Sequence, residues 1–414
     1  MDESRRHDKP LDAALSVILK EVTTIADHVE QPLEDCLGRI LRRDVIAQID
    51  VPQQDTAAVD GYAFYAEDLA SGNPSLPVVG SIKAGHPYKD KAERGSAYRI
   101  FTGAPMPAGP DTVAMEEYCT IEHDGTITLP KGIRKGANLR PKGENVRAGD
   151  IVLGTGTRLG PSEIGLAAAV GIHQLDVSTP LKVALLSMGD EVKEAGSTEG
   201  FEKGMIHDSN RPMLKALMTS DYLEVKDGGI IPDDRAALTM AFADQLANTD
   251  ALVTSGGSSA GEEDHARQAI IDNGGVIDFW RLAMKPGRPM AVGRIGKKFV
   301  FCLPGNPVAA FVCYRLLVAP VLARLQGGNI NPVMKITVPA GFAHRHKPGR
   351  AEYLRAKLVT KDDGTLTVTL HGRAGAGVLS SLTGADGLVE IPADIGDVKE
   401  GDSLPFIPLR EPSL

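Results

Sequence analysis

Cysteine is scarce in this chain, and its few cysteines lie far apart. Four occur among 414 residues, namely Cys36, Cys119, Cys302 and Cys313, and no two of them form a C-x-x-C pair. A small domain held together by disulfides would carry cysteine much more densely. The sequence therefore argues against a disulfide scaffold, and we expect four reduced, structural thiols.

An excess of positive charge is also lacking. Lysine and arginine number 45 against 54 aspartates and glutamates, which gives a formal net charge of −9 and an isoelectric point near 5.6. Proteins that bind nucleic acid or anionic membrane surfaces usually present a basic face. We therefore expect no nucleic-acid partner and no membrane partner, and an anionic substrate would need a local basic pocket.

The apolar runs of this chain are short or are interrupted by a charged residue. The apolar run near the start of the chain, LSVIL, is too short for the core of a signal peptide, and the longest apolar helical candidate, Pro307–Leu325, carries Arg315 near its middle. We expect a soluble, cytoplasmic protein.

The length and composition predict several folded domains. At roughly 150 residues per domain the chain corresponds to two to four domains, and 42% apolar residues suffice for a sizeable core. The 45 glycines and 27 prolines predict many tight turns.

The first half of the chain reads as a helix followed by turn-rich β structure. Apolar residues at three-four spacing predict a helix over residues 11–26 that starts after Pro10. Short β-like runs punctuated by glycine and proline over residues 76–130 predict a small β domain. Ser162 resembles the N-cap of a short helix rich in small residues.

Strands and helices alternate from about residue 181 onward, which predicts a mostly parallel sheet with helices on both faces. Ligands of such sheets bind where loops leave the carboxyl ends of the strands. The loops at residues 187–191, 255–264 and 303–307 are therefore predicted to share one edge. After residue 327 the pattern returns to strand alternation, which predicts a C-terminal β domain.

The glycine-rich loop between a buried strand and a helix at residues 254–264 suggests a phosphate site. Glycine allows close backbone approach to a ligand, and a helix start attracts anions. The loop lacks the Gly-Lys-Ser/Thr of a P-loop and the G-x-G-x-x-G fingerprint. A plain tight turn is the alternative.

Acidic residues follow several of the predicted strands. Asp190 and Glu191, Asp233 and Asp234, and Asp264 would meet at the same edge as the glycine loop. Carboxylates beside a phosphate site suit Mg²⁺, which neutralises phosphate charge. The alternative is a solvated acidic rim.

The stiff segment Lys285-Pro-Gly-Arg288 contains two cations, which makes it the best candidate for a basic site that binds an anion. A surface turn with solvated charges is the alternative. The segment 303–307 has the sequence LPGNP, in which Asn306 could simply cap the helix that begins at Pro307.

Eight segments, taken in order, resemble one family, the molybdopterin molybdenumtransferases, called MoeA in bacteria and the E domain of gephyrin in animals. They are VPQQDTAAVDGYAF, FTGAPMPAGPDTV, LRPKGENVRAGD, SMGDEV, IHDSN, SGGSSAGEEDH, MKPGRP and LPGNPVAA. The resemblance implies a multidomain α/β plus β protein. Its parts would be an elongated N-terminal domain (8–54 and 136–178), an inserted β domain (55–135), a mostly parallel molybdopterin-binding α/β domain (179–328) and a C-terminal β domain (329–414).

The resemblance also implies a reaction and an assembly. Adenylylated molybdopterin and molybdate would react with Mg²⁺ or a similar divalent cation, releasing AMP and placing molybdenum on the dithiolene sulfurs to give the molybdenum cofactor. The active site would lie between two subunits of a homodimer. Further partners would be a molybdopterin adenylyltransferase and apo-molybdoenzymes.

The resemblance assigns roles to individual residues. The expected catalytic residues are Asp60, Thr102, Glu191 and Asp264, and the expected metal ligands are Asp190, Glu191, Asp234 and Asp264. The expected substrate-binding residues are Arg140, Ser209, Asn210, Ser255, Gly256, Gly257, Ser258, Ser259, Lys285, Arg288, Pro304, Gly305 and Asn306.

Some positions depart from the family pattern. Met188 replaces a common threonine, Asn145 an aspartate, Arg288 a lysine and Ala309 a frequent serine. These departures leave open a catalytically silent protein that binds the pterin or serves as a scaffold. The related adenylyltransferase activity is a further alternative. Because Asp60, Glu191 and Asp264 are all retained, we favour an active molybdenumtransferase.

Overall fold

The computed structural model describes residues 8–71, 75–199, 201–256, 265–330 and 333–409. The chain divides into two compact units. One comprises residues 30–37 and 43–176, and the other comprises residues 1–29, 38–42 and 177–414. We call them the β unit and the α/β unit.

The first helix is shorter than predicted. Helix α1 spans Leu11–Glu21 and buries Leu11, Ala14 and Ile18, whereas the spacing of apolar residues predicted a helix up to residue 26. The residues after Glu21 are Val-Thr-Thr-Ile, and β-branched side chains lose freedom in a helix. The chain turns extended at Val22, and the backbone N–H of Ile25 bonds instead to the carbonyl of Leu325 at 3.0 Å.

The β unit is built on a six-stranded sheet in the order β7-β4-β6-β5-β9-β8. Buried side chains such as Phe64, Tyr98 and Ile100 fill the space against its faces. The strands up to residue 178 are β1 (His28–Pro32), β2 (Val45–Ile46), β3 (Thr56–Ala57), β4 (Gly61–Phe64), β5 (Ser75–Ile82), β6 (Ala97–Ile100), β7 (Thr112–Met115), β8 (Thr120–Ile121), β9 (Thr126–Thr128), β10 (Leu139–Arg140), β11 (Ile151–Leu153) and β12 (Gln174–Ser178).

Helix α2 (Pro161–Ala169) begins two positions earlier than a cap at Ser162 requires. Its N-cap is Gly160, whose backbone N–H donates to the Glu163 carboxylate at 2.9 Å. Proline suits the first helical position, so Pro161 moves the cap back to the glycine. The prediction that Ser162 caps this helix is wrong.

A second six-stranded sheet forms the centre of the α/β unit, in the order β16-β13-β17-β21-β20-β18. The first four strands are parallel and the last two antiparallel, so the predicted mostly parallel sheet is confirmed. The elements are β13 (Lys182–Met188), β14 (Val192–Lys193), β15 (Ile206–His207), α3 (Asn210–Ser220), β16 (Glu224–Ile231), α4 (Arg235–Ala247), β17 (Ala251–Ser255), α5 (His265–Asp272), β18 (Val276–Arg281), β19 (Met284–Lys285), β20 (Pro289–Ile295) and β21 (Lys298–Leu303).

The central strands are buried on both faces, which explains their continuous apolar sequence. In β13, Val183 and Leu185 pack into one core cluster, whereas Ala184 and Leu186 pack into another on the opposite face. Covering both faces leaves the strand ends as the place where polar loops can gather.

The segment Pro307–Leu325 is a continuous helical stretch of the α/β unit. It comprises α6 (Pro307–Cys313), a wider π-type turn (Tyr314–Val318) and α7 (Ala319–Leu325). Among the described residues it is the one helix long and apolar enough to cross a membrane, and 67% of its most apolar window is buried inside the protein. It packs in the same core as α1 and the sheet.

A third sheet occupies the C-terminal part of the α/β unit, in the order β19-β23-β25-β26-β22, with β24 paired to β23. Strand β19 runs parallel to β23, which places Lys285 opposite Glu352. The remaining strands are β22 (Ile336–Pro339), β23 (Ala351–Thr360), β24 (Leu366–Leu370), β25 (Gly387–Ile391) and β26 (Ser403–Pro408). The predicted fold class, α/β plus β in several parts, is confirmed.

Candidate functional site

A cavity of about 460 Å³ lies at the carboxyl edge of the parallel strands. The ends of β13, β17 and β21 are neighbours in the sheet, so the described residues at the ends of these strands meet there, as the sequence predicted. The described lining residues are Ser187, Met188, Gly189, Glu191, Val192, Ile206, His207, Asp208, Ser209, Asn210, Asp233, Ser255, Gly256, Pro289, Pro304, Gly305, Asn306 and Pro307.

Asn210 joins two of these loops. Its side-chain Nδ2 donates to the Ser255 Oγ and to the Gly305 carbonyl oxygen, both at 2.7 Å. Asn210 is 7% exposed, and its Oδ1 finds no hydrogen-bond partner among the described residues. Buried polar atoms are rarely left unpaired in folded proteins. The buried Oδ1 is therefore an unused acceptor on a residue that lines the cavity.

Ser187, at the end of β13, adds a second unpaired polar atom. Its Oγ is buried and has no partner in the part of the chain that the structure describes. Ser187 and Asn210 both line the cavity. Together they give its inner wall hydrogen-bonding capacity that the surrounding protein does not use.

Glycine at position 256 allows the strand ends to pass close together. Gly256 has a φ of +93°, and a Cβ added there would overlap the carbonyl oxygen of Met188. Its own N–H bonds to the Leu303 carbonyl at 3.1 Å. The β17 end is thus held between the ends of β13 and β21, which only glycine permits at this distance.

The rest of the glycine-rich loop lies outside the described residues. That applies to the predicted substrate-binding residues Gly257, Ser258 and Ser259, and to the predicted catalytic and metal-binding residue Asp264. Of the other predicted residues, the structure brings Glu191, Ser209, Asn210, Ser255, Gly256, Pro304, Gly305 and Asn306 together around the cavity.

The predicted metal ligands have different surroundings. Glu191 lines the cavity, together with Asp233. Asp234 is the N-cap of α4 and accepts the Ala237 backbone N–H at 2.8 Å, while Asp190 accepts the Asp233 N–H at 3.1 Å. Within the described ranges, no group of three or more histidine, cysteine or acidic side chains is arranged to hold a metal ion.

The predicted basic pair does not line the cavity. The Lys285 Nζ lies 2.7 Å from the Glu352 Oε1, and the Arg288 Nε lies 2.7 Å from the Asp8 Oδ2. Burial raises the pKa of Glu352, but hydrogen bonds from Lys285 and His344 outweigh it and hold the pKa below its usual range. Both cations are therefore engaged by carboxylates of the same chain, and Pro289 is the residue of this segment at the cavity wall.

Asn306 occupies the N-cap position of α6, as the sequence allowed. Its side chain makes no capping hydrogen bond to the described first turn, and Asn306 is exposed at the cavity. The Val308 N–H is instead bonded by the Ala376 carbonyl at 3.0 Å. The C-terminal sheet region thus takes over the capping role and leaves the Asn306 side chain available.

Asp60 and Thr102 form a pair in the β unit. The Asp60 Oδ1 accepts both the Thr102 backbone N–H at 2.7 Å and the Thr102 hydroxyl at 2.8 Å. These two bonds, the backbone one first, lower the pKa of Asp60. The carboxylate is exposed and ionised over a wide pH range. Arg140, also exposed, stands opposite Thr56 in the β10–β3 pairing.

Several lining residues were missed by sequence reasoning. Ser187, Ile206, His207 and Pro289 line the cavity although we did not expect them at the site. All four belong to segments that carried the resemblance, SMGDEV, IHDSN and MKPGRP, and that position was the available signal for them. Asp233 lay in the predicted acidic group but was not among the expected site residues.

Three family models match nearly the whole chain. They are the MoeA N-terminal region (domain I and II) over residues 9–171, a probable molybdopterin binding domain over 184–324, and the MoeA C-terminal region (domain IV) over 337–409. The cavity lies within the second of these segments.

Named relatives and a solved structure agree with those matches. The molybdopterin molybdenumtransferase of Haemophilus influenzae is 34% identical over 97% of this chain and 98% of its own, and molybdopterin molybdenumtransferase 2 of Mycobacterium tuberculosis is 31% identical over 94% and 96%. The crystal structure of the molybdopterin biosynthesis moeA protein from Pyrococcus horikoshii OT3 aligns with a TM-score of 0.81 at 28% identity, covering 97% of this chain and all of that one. This chain belongs to the MoeA family of molybdopterin molybdenumtransferases.

Proposed function

We propose that this protein is a molybdopterin molybdenumtransferase of molybdenum cofactor biosynthesis. It takes adenylylated molybdopterin and molybdate, releases AMP and places molybdenum on the dithiolene sulfurs. The observation that carries the proposal is the cavity of about 460 Å³ at the strand ends, inside the segment matched by the molybdopterin-binding model. Its lining includes Asn210 and Ser187, each with a buried polar atom that has no partner among the described residues.

The charge of the cavity supports dependence on a divalent cation. Its described lining contains no lysine or arginine, whereas Glu191 and Asp233 are acidic and Asp208 shares Arg211 with two other carboxylates. An anionic phosphate substrate would be repelled by such a wall without a counter-charge. Carboxylate oxygens, substrate phosphates and water are the ligands that Mg²⁺ prefers.

Glu191 and Asp233 would hold the cation on the protein side. The cation would supply neutralisation of the phosphate charge as AMP departs. The chain's own residues fix the substrate through Asn210 and Ser187, and the backbone of Gly256 allows it to approach the strand ends closely.

We further propose that the active protein is a cytoplasmic homodimer in which the Asp60–Thr102 pair of one subunit completes the cavity of the other. The fixed, ionised Asp60 carboxylate would orient a water molecule or a cation at the reacting group. A molybdopterin adenylyltransferase would supply the substrate, and apo-molybdoenzymes would receive the product.

Release of AMP from adenylylated molybdopterin, measured with and without molybdate, tests the reaction. We expect molybdate-dependent release that a chelator abolishes and that added Mg²⁺ restores. Asp60→Ala and Glu191→Ala should each abolish release and leave the fold and dimer intact. Substrate binding without release would instead favour a silent pterin-binding protein, and ATP-dependent adenylylation of molybdopterin would favour the adenylyltransferase alternative.

Mixing the two inactive variants tests the shared site. If Asp60 acts across the dimer, a heterodimer of Asp60→Ala and Glu191→Ala subunits contains one intact site, so an equal mixture should regain about one quarter of the wild-type rate after subunit exchange. A site built within one subunit predicts no recovery at all.

A further inference from the structure

A two-stranded ribbon forms one wall of the cavity. Strands β14 and β15 pair in parallel, and Val192, Ile206 and His207 of this ribbon line the cavity. Arg211, at the start of α3, anchors the ribbon because its side chain forms ion pairs with Glu194 and Asp208, the residues that directly follow β14 and β15. Arg211 is 8% exposed, so the guanidinium side of this anchor is buried, whereas the Glu194 side chain is exposed.

The imidazole ring of His207 is held in a fixed orientation. Its Nδ1 lies 3.2 Å from the backbone carbonyl oxygen of Glu194. Since a carbonyl oxygen only accepts hydrogen bonds, Nδ1 carries a proton. The ring of Phe201 stacks on the imidazole with 4.5 Å between ring centroids and 28° between planes.

The contacts with Phe201 and Glu194 leave part of the imidazole ring accessible. Phe201 covers one imidazole face and Glu194 occupies Nδ1, yet His207 remains exposed and Phe201 is itself 41% exposed. The accessible part of His207 is therefore its second face and its Nε2 edge. His207 is the only aromatic side chain among the described lining residues of the cavity.

We propose that His207 is a specificity-determining residue whose free face stacks against a planar nitrogen heteroaromatic ring of the substrate. The proposal rests on the proposed function, which supplies two such rings, the pterin and the adenine. Offset stacking of aromatic rings at this kind of separation is favourable, and a ring already fixed by Phe201 and Glu194 loses little freedom on binding.

A stacking role also predicts which side chains can replace His207. Stacking requires a flat ring at this position, whereas the Nε2 edge contributes a hydrogen bond only to a partner that lies in the ring plane. Phenylalanine keeps the face but loses the Nε2 edge and the Nδ1 bond to Glu194, and alanine loses the ring altogether. The two substitutions therefore separate stacking from hydrogen bonding.

Binding of two probes to the full-length protein tests the proposal. AMP alone and 6-hydroxymethylpterin alone should be titrated by calorimetry into the wild type, His207→Ala, His207→Phe and the control His123→Ala, an exposed histidine of the turn before β9. We expect His207→Ala to bind one probe about tenfold more weakly than the wild type, equivalent to about 1.4 kcal/mol. The affinity of His207→Phe for that probe should stay within about threefold of the wild-type value.

The two probes identify the ring. If His207→Ala binds only AMP more weakly, the adenine stacks on His207. If it binds only the pterin more weakly, the pterin stacks there. Either outcome supports the proposal. Wild-type affinity of His207→Ala for both probes overturns it, and so does a wild type that binds neither.

Failure of the proposed function shows separately. A wild type that releases no AMP from adenylylated molybdopterin contradicts the molybdenumtransferase proposal, while the binding titrations still decide the role of His207. Thermal unfolding of each variant checks that the ribbon stays folded. His207→Phe keeps the contact with Phe201 and loses only the exposed hydrogen bond to Glu194, so we expect its melting temperature to stay close to that of the wild type.

Discussion

Thr102 donates both its backbone N–H and its hydroxyl to the same carboxylate oxygen of Asp60. The two residues are 42 positions apart and meet because β4 and β6 are antiparallel neighbours in the β unit. A carboxylate held by two short hydrogen bonds is fixed in direction and remains charged to lower pH. This is the state that a residue acting on a bound cation or water requires.

We expect Thr102→Val to move the acidic limb of the activity profile to higher pH. The native pKa of Asp60 is lowered by Thr102, so ionised Asp60 is present down to a pH below the usual carboxylate range and is lost only as pH falls through that lowered pKa. Removing the hydroxyl raises the pKa and brings the loss nearer to neutrality. The rate of AMP release between about pH 3 and 6, the range around and below an ordinary carboxylate pKa, gives the measurement.

Thr155→Val is the matched control for that variant. Asp44 accepts the Thr155 N–H and hydroxyl in the same geometry, both at 2.7 Å, and its pKa is lowered in the same way. Neither residue belongs to the proposed site. Equal pH profiles for Thr102→Val and the wild type would contradict a role for the Asp60 charge in the reaction.

Gly256→Ala should destabilise the protein and impair binding together. The added methyl group would overlap the Met188 carbonyl, and φ of +93° is itself unfavourable for alanine. Gly274→Ala is the control, because Gly274 has a φ of +73° with nothing within 4 Å of an added Cβ. We expect the control to lose about 1–2 kcal/mol in urea unfolding, the cost of a left-handed conformation, and Gly256→Ala to lose more.

Asn210→Ala should separate the loops that Asn210 joins. The substitution leaves the Gly305 carbonyl and the Ser255 hydroxyl without their shared donor, a change that costs about 1–3 kcal/mol when the groups are buried. Ser209→Ala, one residue earlier and without a capping hydrogen bond in the described helix start, should unfold with the wild type. Equal urea midpoints for both variants would show that the two Asn210 bonds contribute nothing to stability.

Lys285→Ala should reduce stability without a matching change in the KM for substrate. Lys285 pairs with Glu352, which is only 4% exposed, and losing the cation would leave a buried carboxylate with His344 as its remaining side-chain partner of those described. Lys285→Arg retains the charge and is the control. A large rise in KM with unchanged stability would return Lys285 to the substrate site that its sequence context predicted.

The same pair predicts how stability responds to acid. Because the pKa of Glu352 is lowered in the folded protein, its contribution is present above the ordinary carboxylate pKa and is lost as pH falls through the lowered value. Glu352→Gln should therefore flatten the fall of the free energy of unfolding below about pH 4.5. Urea unfolding at a series of pH values measures it, and an unchanged slope would argue against the pairing.

Local sequence was sufficient for the elements whose pattern is dictated by burial. Strands β13, β17 and β21 were predicted because side chains covered on both faces must all be apolar, and their order of glycine-rich and acidic ends placed the ligand edge. The same reasoning predicted too long a helix for α1, because the spacing of apolar residues does not show that the β-branched residues after Glu21 favour extended backbone. The segments that carried the family resemblance also pointed to the right family.

Tertiary structure decided what the polar residues do. Lys285 and Arg288 looked like an anion site, but their carboxylate partners, Glu352 and Asp8, lie 67 and 280 residues away in the chain and meet them only through folding. The orientation of His207 likewise depends on Phe201 and a backbone carbonyl rather than on its neighbours in sequence. The periodicity of apolar residues predicts which side chains are buried, whereas the pairing of charges depends on distances that exist only in the folded chain.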